Sequence, residues 1–339
     1  MDSNVPPFSI GRIPTVDLSG TAHFLEDVLD GLRQKPKRLA SKYFYDHRGS
    51  QLFDAICGLD EYYLTRAESE IMETYADEMA IQIGRRVMLV EYGSGSSVKT
   101  RQLLDVLIDP ACYVPVDISE DHLLQTAEEL ARAYPDIEIA PVCADFSQPF
   151  DLPPVAAAYS HIAVYFPGST IGNFTASAAR RILRQIAGQV GPGGGLLIGI
   201  DLHKSNETIE RAYNDAAGIT AAFNKNLLVR INRELDADFD IDQFDYRARY
   251  NIEQQRVESF LISNSRQSVT VAGEQFIFDA GEPILTEYSH KYTIDGFANL
   301  ASPAGWAIHK VWTDRQRLFA VVHMVVESDP PLQASEPDR

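Results

Sequence analysis

The sequence predicts an α/β fold, a mostly parallel sheet with helices on both faces, joined to a second α+β module. Three observations predict it. From residue 87 to 201, apolar runs of strand length alternate with helical stretches, the pattern of βα units that pair in parallel. The first of these runs, V-M-L-V-E-Y, ends in Glu91 and enters the glycine turn G-S-G-S-S, a strand-to-helix turn that builds a nucleotide-shaped crevice. After Leu202 the alternation stops, short β-like stretches such as V-E-S-F-L-I and S-V-T-V surround Ala272-Gly273, and the first style returns near residue 294. The middle segment therefore reads as a hairpin-rich insertion.

Taken in order, residues 1–20 are punctuated by Pro and Gly and are expected to wrap the surface. Phe24, Leu25, Val28, Leu29 and Leu32 then recur at helical spacing. Residues 41–66 are rich in aromatics, among them Tyr43, Phe44, Tyr45, Phe53, Tyr62 and Tyr63, interleaved with Asp46, Arg48 and Arg66; the two arginines are expected to be structural ion-pair partners. Thr65 and Glu68 fit a capping box, which makes Glu68 a helix-start residue and opens a helix with Ile71, Tyr75 and Met79 on one face, stopped by Gly84. After the first strand come a helix at 98–107, a strand at 111–116 and a helix at 120–133. Strands at 137–142 and 161–166, a helix at 176–189 and a strand at 195–201 follow. A helix is expected over 207–223, alternating strands over 246–278 and a helix over 294–301. Strands at 306–312 and 319–326, joined by Thr313-Asp314-Arg315-Gln316, would complete the main sheet. The expected organisation is a discontinuous nucleotide domain, 68–202 together with 292–327, and a second domain made of 1–67 together with 203–291. Residues 328–339 read as a loose polar tail.

Composition limits the partners. A chain of 339 residues with 45% hydrophobic content can bury a large core. Its formal net charge of −18 argues against a phosphate-backbone footprint, so a small-molecule substrate is expected and nucleic acid is not. Cys57, Cys112 and Cys143 show no CxxC spacing and cannot all pair, which suits a reducing compartment; cytoplasm is expected. The start of the sequence lacks a basic-then-apolar leader and no apolar run reaches membrane-spanning length, so no membrane partner is expected. The eight histidines show neither HExxH nor close pairing with cysteine, so no metal is expected. A monomer is expected.

The glycine turn narrows the ligand. A dinucleotide fingerprint requires a third glycine where this chain has Val98, which disfavours a nicotinamide-dependent oxidoreductase. Glu91, two places before Gly93, sits awkwardly beside two phosphates but suits a ligand with hydroxyls and a cationic group, such as S-adenosylmethionine. Gly93 and Gly95 let the backbone approach it, and the helix opening near Ser97 offers unpaired N–H groups. Asp117, at the end of the next apolar run, is placed to accept both hydrogen bonds of a ribose diol. Asp145 and Phe146 end the third run as an acceptor beside an aromatic face, which suits an adenine amino group and ring. A lone glycine turn or strand-end Asp is commonly structural; it is the ordered series of three that points to one adenosine.

Five further motifs carry a resemblance over about residues 38–315. The runs Y-F-Y-D-H-R-G-S-Q-L-F-D with E-Y-Y-L-T-R-A-E, P-G-S-T-I-G-N-F, R-A-Y-N-D-A-A-G-I-T-A-A-F-N-K-N-L-L and L-T-E-Y-S-H-K-Y together resemble the histidine Nα-methyltransferases of ergothioneine biosynthesis. The resemblance implies a class I, Rossmann-like S-adenosylmethionine methyltransferase domain plus a substrate-binding domain. It implies transfer of three methyl groups to the α-amine of L-histidine, giving hercynine. It further implies that Gly93, Lys99, Asp117, Asp145 and Phe146 contact the cofactor, and that Tyr63, Asn173 and Tyr213 hold the substrate carboxylate and amine. Glu287 and Ser289 would hold the imidazole, Glu287 accepting from one ring N–H and Ser289 serving the other nitrogen. Tyr45 is a further candidate near the amine. His47 and His290 lie inside the motifs but are read as non-catalytic.

Methyl transfer from a sulfonium to an amine is an in-line displacement whose rate comes from alignment and desolvation, so no nucleophilic Ser or Cys is required. With no HxD-type base in evidence, polar groups and water around Tyr45, Tyr63 and Asn173 are expected to position the amine while its proton leaves. Tyrosine faces can tolerate the growing quaternary ammonium. Two alternatives stay open at this point: N-methylation of another aromatic amino acid, tryptophan or tyrosine, and a non-catalytic module that binds S-adenosylmethionine.

Overall fold

A computed structural model of the chain describes residues 20–95 and 98–327; the surface wrap expected for the first residues, the helix opening at Ser97 and the polar tail at 328–339 lie outside the described residues. The main sheet has eight strands, in the spatial order Trp306–Thr313, Phe319–Val326, Gly195–Asp201, His161–Phe166, Val87–Tyr92, Cys112–Asp117 and Glu138–Ile139, with Val142–Cys143 also paired to Cys112–Asp117. From Gly195–Asp201 to Glu138–Ile139 the pairs are parallel, and the final hairpin adds antiparallel. Every residue of Val87–Tyr92 and of Gly195–Asp201 is buried, as near-continuous apolar runs require when helices cover both faces.

Alternate side chains divide between two cores. Met88, Val90, Val164 and Ile198 join Ile182, Leu183 and Ile186 on one face. Leu89, Tyr165 and Leu197 join Ile71, Met72 and Met79 on the other. The helix Ala176–Val190 shows how sequence sets the first layer: Thr175 accepts from Ala178 N at its start, and its buried residues follow helical spacing.

A second sheet of four strands, in the order Lys37–Arg38, Pro283–His290, Arg256–Ser263 and Phe244–Asn251, accompanies the hairpin Gln267–Val271/Glu274–Phe278. Its core joins Phe24, Val28 and Phe44 of the N-terminal part to Phe223, Leu227 and Ile284 of the insertion. The two sheets meet where Tyr292 N donates to Asp201 O at 2.8 Å.

Several expectations need correction. The segment 207–223 is two helices, Asn206–Tyr213 and Ile219–Glu234, separated at Gly218 (φ 71°) with Asp215 accepting from Ile219 N and Thr220 N. The strand over 137–142 is two short pieces interrupted at Ala140, and the helix after the glycine turn ends at Leu104. The capping box is absent: the helix Tyr63–Ile83 begins at Tyr62 without a side-chain cap, and Glu68 is fully buried. Arg66 donates to the carbonyls of Leu59, Asp60 and Tyr62, and Arg48 to Gln51; neither forms an ion pair among the described residues.

Candidate active site

A cavity of about 1080 Å³ opens over the C-terminal ends of the parallel strands, the place where open α/β sheets bind ligands. One end is built by the strand ends themselves. Gly93, at φ 73°, turns the chain back so that its N–H donates to Val116 O at 2.8 Å; a Cβ there would meet the Phe146 ring at 3.7 Å. Asp117 accepts from Ser119 N at 3.0 Å and from Gly95 N at 3.3 Å, while burial raises its pKa above the ordinary carboxylate value. Glu91 accepts from the Thr100 and Tyr113 hydroxyls, and burial pushes its carboxyl up to about 7. Phe146 stacks on Tyr92 at 5.3 Å and meets Phe166 edge-on at 5.4 Å, forming a fixed aromatic platform. Asp145 is held by Ser147 N at 2.9 Å and by Lys42 at 3.0 Å. Lys99 pairs with buried Glu68, which also accepts from Gly168 N at 3.0 Å.

The other end is walled by the second sheet. A register shift in Pro283–His290 between Leu285 and Glu287 breaks the strand's alternation, so Leu285, Thr286, Glu287 and Tyr288 all line the cavity. Gly172 allows this strand to dock: a Cβ would stand 2.9 Å from His290 O. The 3-10 turn Thr170–Asn173 thereby sets Asn173 on the wall. Tyr45 packs edge-on against Phe53 at 5.6 Å and Phe223 at 5.7 Å. Tyr45 and Tyr62 line the cavity, and burial raises both hydroxyl pKa values well above the usual phenol range. The side chains of Tyr45, Tyr62, Asn173 and Glu287 make no hydrogen bond among the described residues, and burial pushes Glu287 up to about 7 against the pull of Lys291. Four polar side chains without a hydrogen-bond partner among the described residues thus surround one hollow.

The structure thus brings Glu91, Gly93, Gly95, Lys99, Asp117, Asp145 and Phe146 to one end of a cavity and Tyr45, Asn173 and Glu287 to the other. Three expected substrate residues do not line it. The Tyr63 hydroxyl donates to Asp201 at 2.8 Å, and Tyr213 and Ser289 join hydroxyls at 2.7 Å, all buried behind the wall. Tyr62 and Glu68 are among the cavity residues that the sequence reading did not assign to the site. Tyr62 is the neighbour of Tyr63 in E-Y-Y, and adjacent residues at a helix start point about 100° apart, so one of the pair faces the cavity; the doublet gives no sign of which. Glu68 has the same spacing as a capping residue. His47 is exposed on a helix. His290 lines a separate hollow of about 220 Å³ with Arg180 and Asn299, and burial pulls its pKa down to about 4.

The family model described as "Histidine-specific methyltransferase, SAM-dependent" matches residues 24–326. The histidine N-alpha-methyltransferase of Mycobacterium tuberculosis is 43% identical over 302 residues, covering 87% of this chain and 92% of that protein. The enzyme of the same name from Mycolicibacterium smegmatis is 41% identical over 296 residues, covering 85% and 90%. Ergothioneine biosynthesis protein 1 of Schizosaccharomyces pombe is 29% identical over 279 residues, covering 77% of this chain and 36% of that longer protein.

Proposed function

We propose that this chain, which belongs to the family of histidine-specific, S-adenosylmethionine-dependent methyltransferases, transfers three methyl groups to the α-amino nitrogen of L-histidine and releases hercynine. The observation that carries this reading is the single cavity joining Gly93 and Asp117 to the partnerless groups Tyr45, Tyr62, Asn173 and Glu287.

The residues present fit S-adenosylmethionine. Asp117 is a half-buried acceptor beside a glycine turn where the open Cβ position of Gly95 admits a ribose, and Phe146 offers a ring face to the adenine. Lys99 would face the methionyl carboxylate, with Glu91 supporting the turn through Thr100 and Tyr113 and Asp145 beside the adenine edge. When bound, the cofactor supplies an electrophilic methyl group on a sulfonium. Glu287 accepts a ring N–H of histidine, and a site that hydrogen-bonds a substrate group rejects analogues lacking it by about 10⁴. Tyr45, Tyr62 and Asn173 hold the amino group and carboxylate so that the nitrogen lone pair points toward Gly93. Before each attack the ammonium gives up one proton to water, and the neutral Tyr45 and Tyr62 hydroxyl oxygens accept hydrogen bonds from its N–H groups. Their rings face the growing ammonium charge.

In this reading 68–202 with 292–327 is the cofactor domain and 1–67 with 203–291 the substrate domain. A monomer is part of this reading. Cys57, Cys112 and Cys143 are free, and no helix among the described residues is long and apolar enough to cross a membrane; a cytoplasmic enzyme accords with both. Calorimetric titration with histidine and S-adenosylhomocysteine, followed by mass spectrometry of the turnover products, tests it. Trimethylated histidine is expected. Equal methylation of tryptophan or tyrosine in competition, or binding without turnover, would overturn it.

A further inference from the structure

Glu68 stands at the glycine-turn end of the cavity, and the methyl transfer described above gives it no task. It comes from the helix Tyr63–Ile83, is fully buried, and borders the cavity beside Lys99 and Gly168. The strand Gly195–Asp201 makes room for it: a Cβ on Gly199 would stand 2.6 Å from Glu68 Oε1. Gly168 N donates to both carboxylate oxygens, at 3.0 and 3.1 Å, and Lys99 Nζ pairs with Oε2. Taking a carboxylate out of water is costly. A glutamine in the same place would satisfy the Gly168 N–H without a charge, so the charge answers to Lys99 and to what Lys99 meets.

The position of Lys99 shows what that is. Among the described residues, the lysine and arginine side chains lining the cavity are Arg38 and Lys42, on the N-terminal part, and Lys99, close to the glycine turn. Lys42 is already held by Asp27 at 2.9 Å and Asp145 at 3.0 Å. A glycine turn with a lysine near it is the equipment of a phosphate site, and the adenine slot proposed at Phe146 would complete a site for an adenine nucleotide. Glu68 changes that chemistry, because it joins Lys99 in a pair with no net charge. Both charges act on the cavity floor. Burial does most to raise the Glu91 carboxyl, to about 7; the Thr100 and Tyr113 hydroxyls and then Lys99 oppose it, and Glu68 adds to it. A neutral pair favours neither a lone anion nor a lone cation. It favours a ligand end that carries both signs, carboxylate toward Lys99 and ammonium toward the Glu68 side.

We propose that Glu68 is a specificity-determining residue that, through its pair with Lys99, admits the zwitterionic amino-acid end of the cofactor and turns away the phosphates of an adenine nucleotide carrying the same adenosine. The role rests on the cavity binding S-adenosylmethionine at Gly93 and Asp117. Glu68 needs no contact with the ligand. Lys99, whose side chain is 21% exposed, stands next to it, and the charge beneath acts at a range where partly buried groups are little screened by salt.

Three ligands with one adenosine separate the effect in calorimetric titrations of the full chain: methylthioadenosine, whose end is uncharged, S-adenosylhomocysteine, whose end is zwitterionic, and ADP, whose end is anionic. Glu68→Gln keeps an acceptor for Gly168 N and removes the charge. It is expected to leave methylthioadenosine within about twofold, to weaken S-adenosylhomocysteine by about fivefold or more, and to tighten ADP by about tenfold or more. In Glu68→Gln/Lys99→Met, which leaves neither charge unpaired and serves should the single variant not fold, ADP is expected to bind no tighter than to wild type, and S-adenosylhomocysteine about as weakly as methylthioadenosine. Equal shifts for all three ligands in Glu68→Gln, which a merely structural role would give, would overturn the proposal. So would a loss of S-adenosylhomocysteine with ADP unchanged, which would make Glu68 only a holder of Lys99, or wild-type affinity for S-adenosylhomocysteine in the double variant. A wild-type protein that binds neither methylthioadenosine nor S-adenosylhomocysteine would instead overturn the cofactor reading itself.

Discussion

The two ends of the cavity are built by opposite means. At the end proposed for the cofactor, the backbone turns at the ends of neighbouring strands do the positioning, and the acceptors already have partners: Asp117 with Ser119 and Gly95, Glu91 with Thr100 and Tyr113. At the end proposed for the substrate, side chains from distant parts of the chain converge, and Tyr45, Tyr62, Asn173 and Glu287 have no hydrogen-bond partner among the described residues. A cofactor shared by many enzymes can be held by strand ends that any such sheet provides. A particular amino acid needs groups whose bonds are made only when it arrives. Losses should therefore separate: substrate-end variants lose histidine and keep the cofactor, and cofactor-end variants lose both ligands' turnover through one.

The sharpest separation is expected from Glu287→Ala. Removing the acceptor should lower kcat/KM for histidine by about 10³-fold or more, with S-adenosylhomocysteine affinity by calorimetry within about twofold of wild type. An equal loss at both ends would erase the contrast. Next comes the tyrosine pair. Tyr62→Phe with Asn173→Ala should raise KM for histidine by about 10- to 100-fold, as two hydrogen bonds of about 1 to 1.5 kcal/mol each imply. Tyr63→Phe should leave KM within about threefold and lower stability to urea by about 1 to 2 kcal/mol, since it removes a buried donor from Asp201. The reverse outcome would return Tyr63 to the cavity. At the cofactor end, Gly93→Ala places a side chain at φ 73°; strain of about 1 to 2 kcal/mol should weaken S-adenosylhomocysteine by about tenfold, with kcat for histidine little changed at saturating cofactor.

The same contrast explains what was legible in the sequence. The strand and helix alternation, the glycine turn and the acidic strand ends are local signals, each contained in a few residues, and they locate Glu91, Gly93 and Asp117 without knowledge of the rest of the fold. The substrate end carries no local signal. Glu287 reaches the cavity because of a register shift that its own strand's alternation conceals, and Asn173 because Gly172 admits His290 O at close range. Only resemblance through five motifs singled them out, and of the E-Y-Y pair it named Tyr63, whereas Tyr62 lines the cavity. Glu68 shows the converse error. Its spacing from Thr65 matches a capping box, yet its burial against Lys99 and Gly168 N is tertiary, and propensity rules do not see tertiary pairing.

The smallest effect expected is on stability, and it bears on why the substrate end tolerates unpaired groups. Burial raises the Glu287 carboxyl from 4.5 to about 7, with Lys291 opposing. The folded chain therefore holds this proton more tightly than the unfolded chain does, so ionising Glu287 removes stability as pH rises from 4.5 toward 7, and the loss is complete above that. Glu287→Gln abolishes the titration, while Glu91, also raised to about 7, is common to both proteins and cancels in the comparison. Melting temperatures of wild type and Glu287→Gln should coincide near pH 4.5 and diverge in favour of the variant by about 2 °C or more at pH 8. Saturating histidine should shrink that gap in the wild type, because an ionised Glu287 then accepts a ring N–H that no protein group supplies. A gap that persists with ligand would show that the carboxylate's cost is structural and is not repaid by substrate, leaving the two ends of the cavity alike.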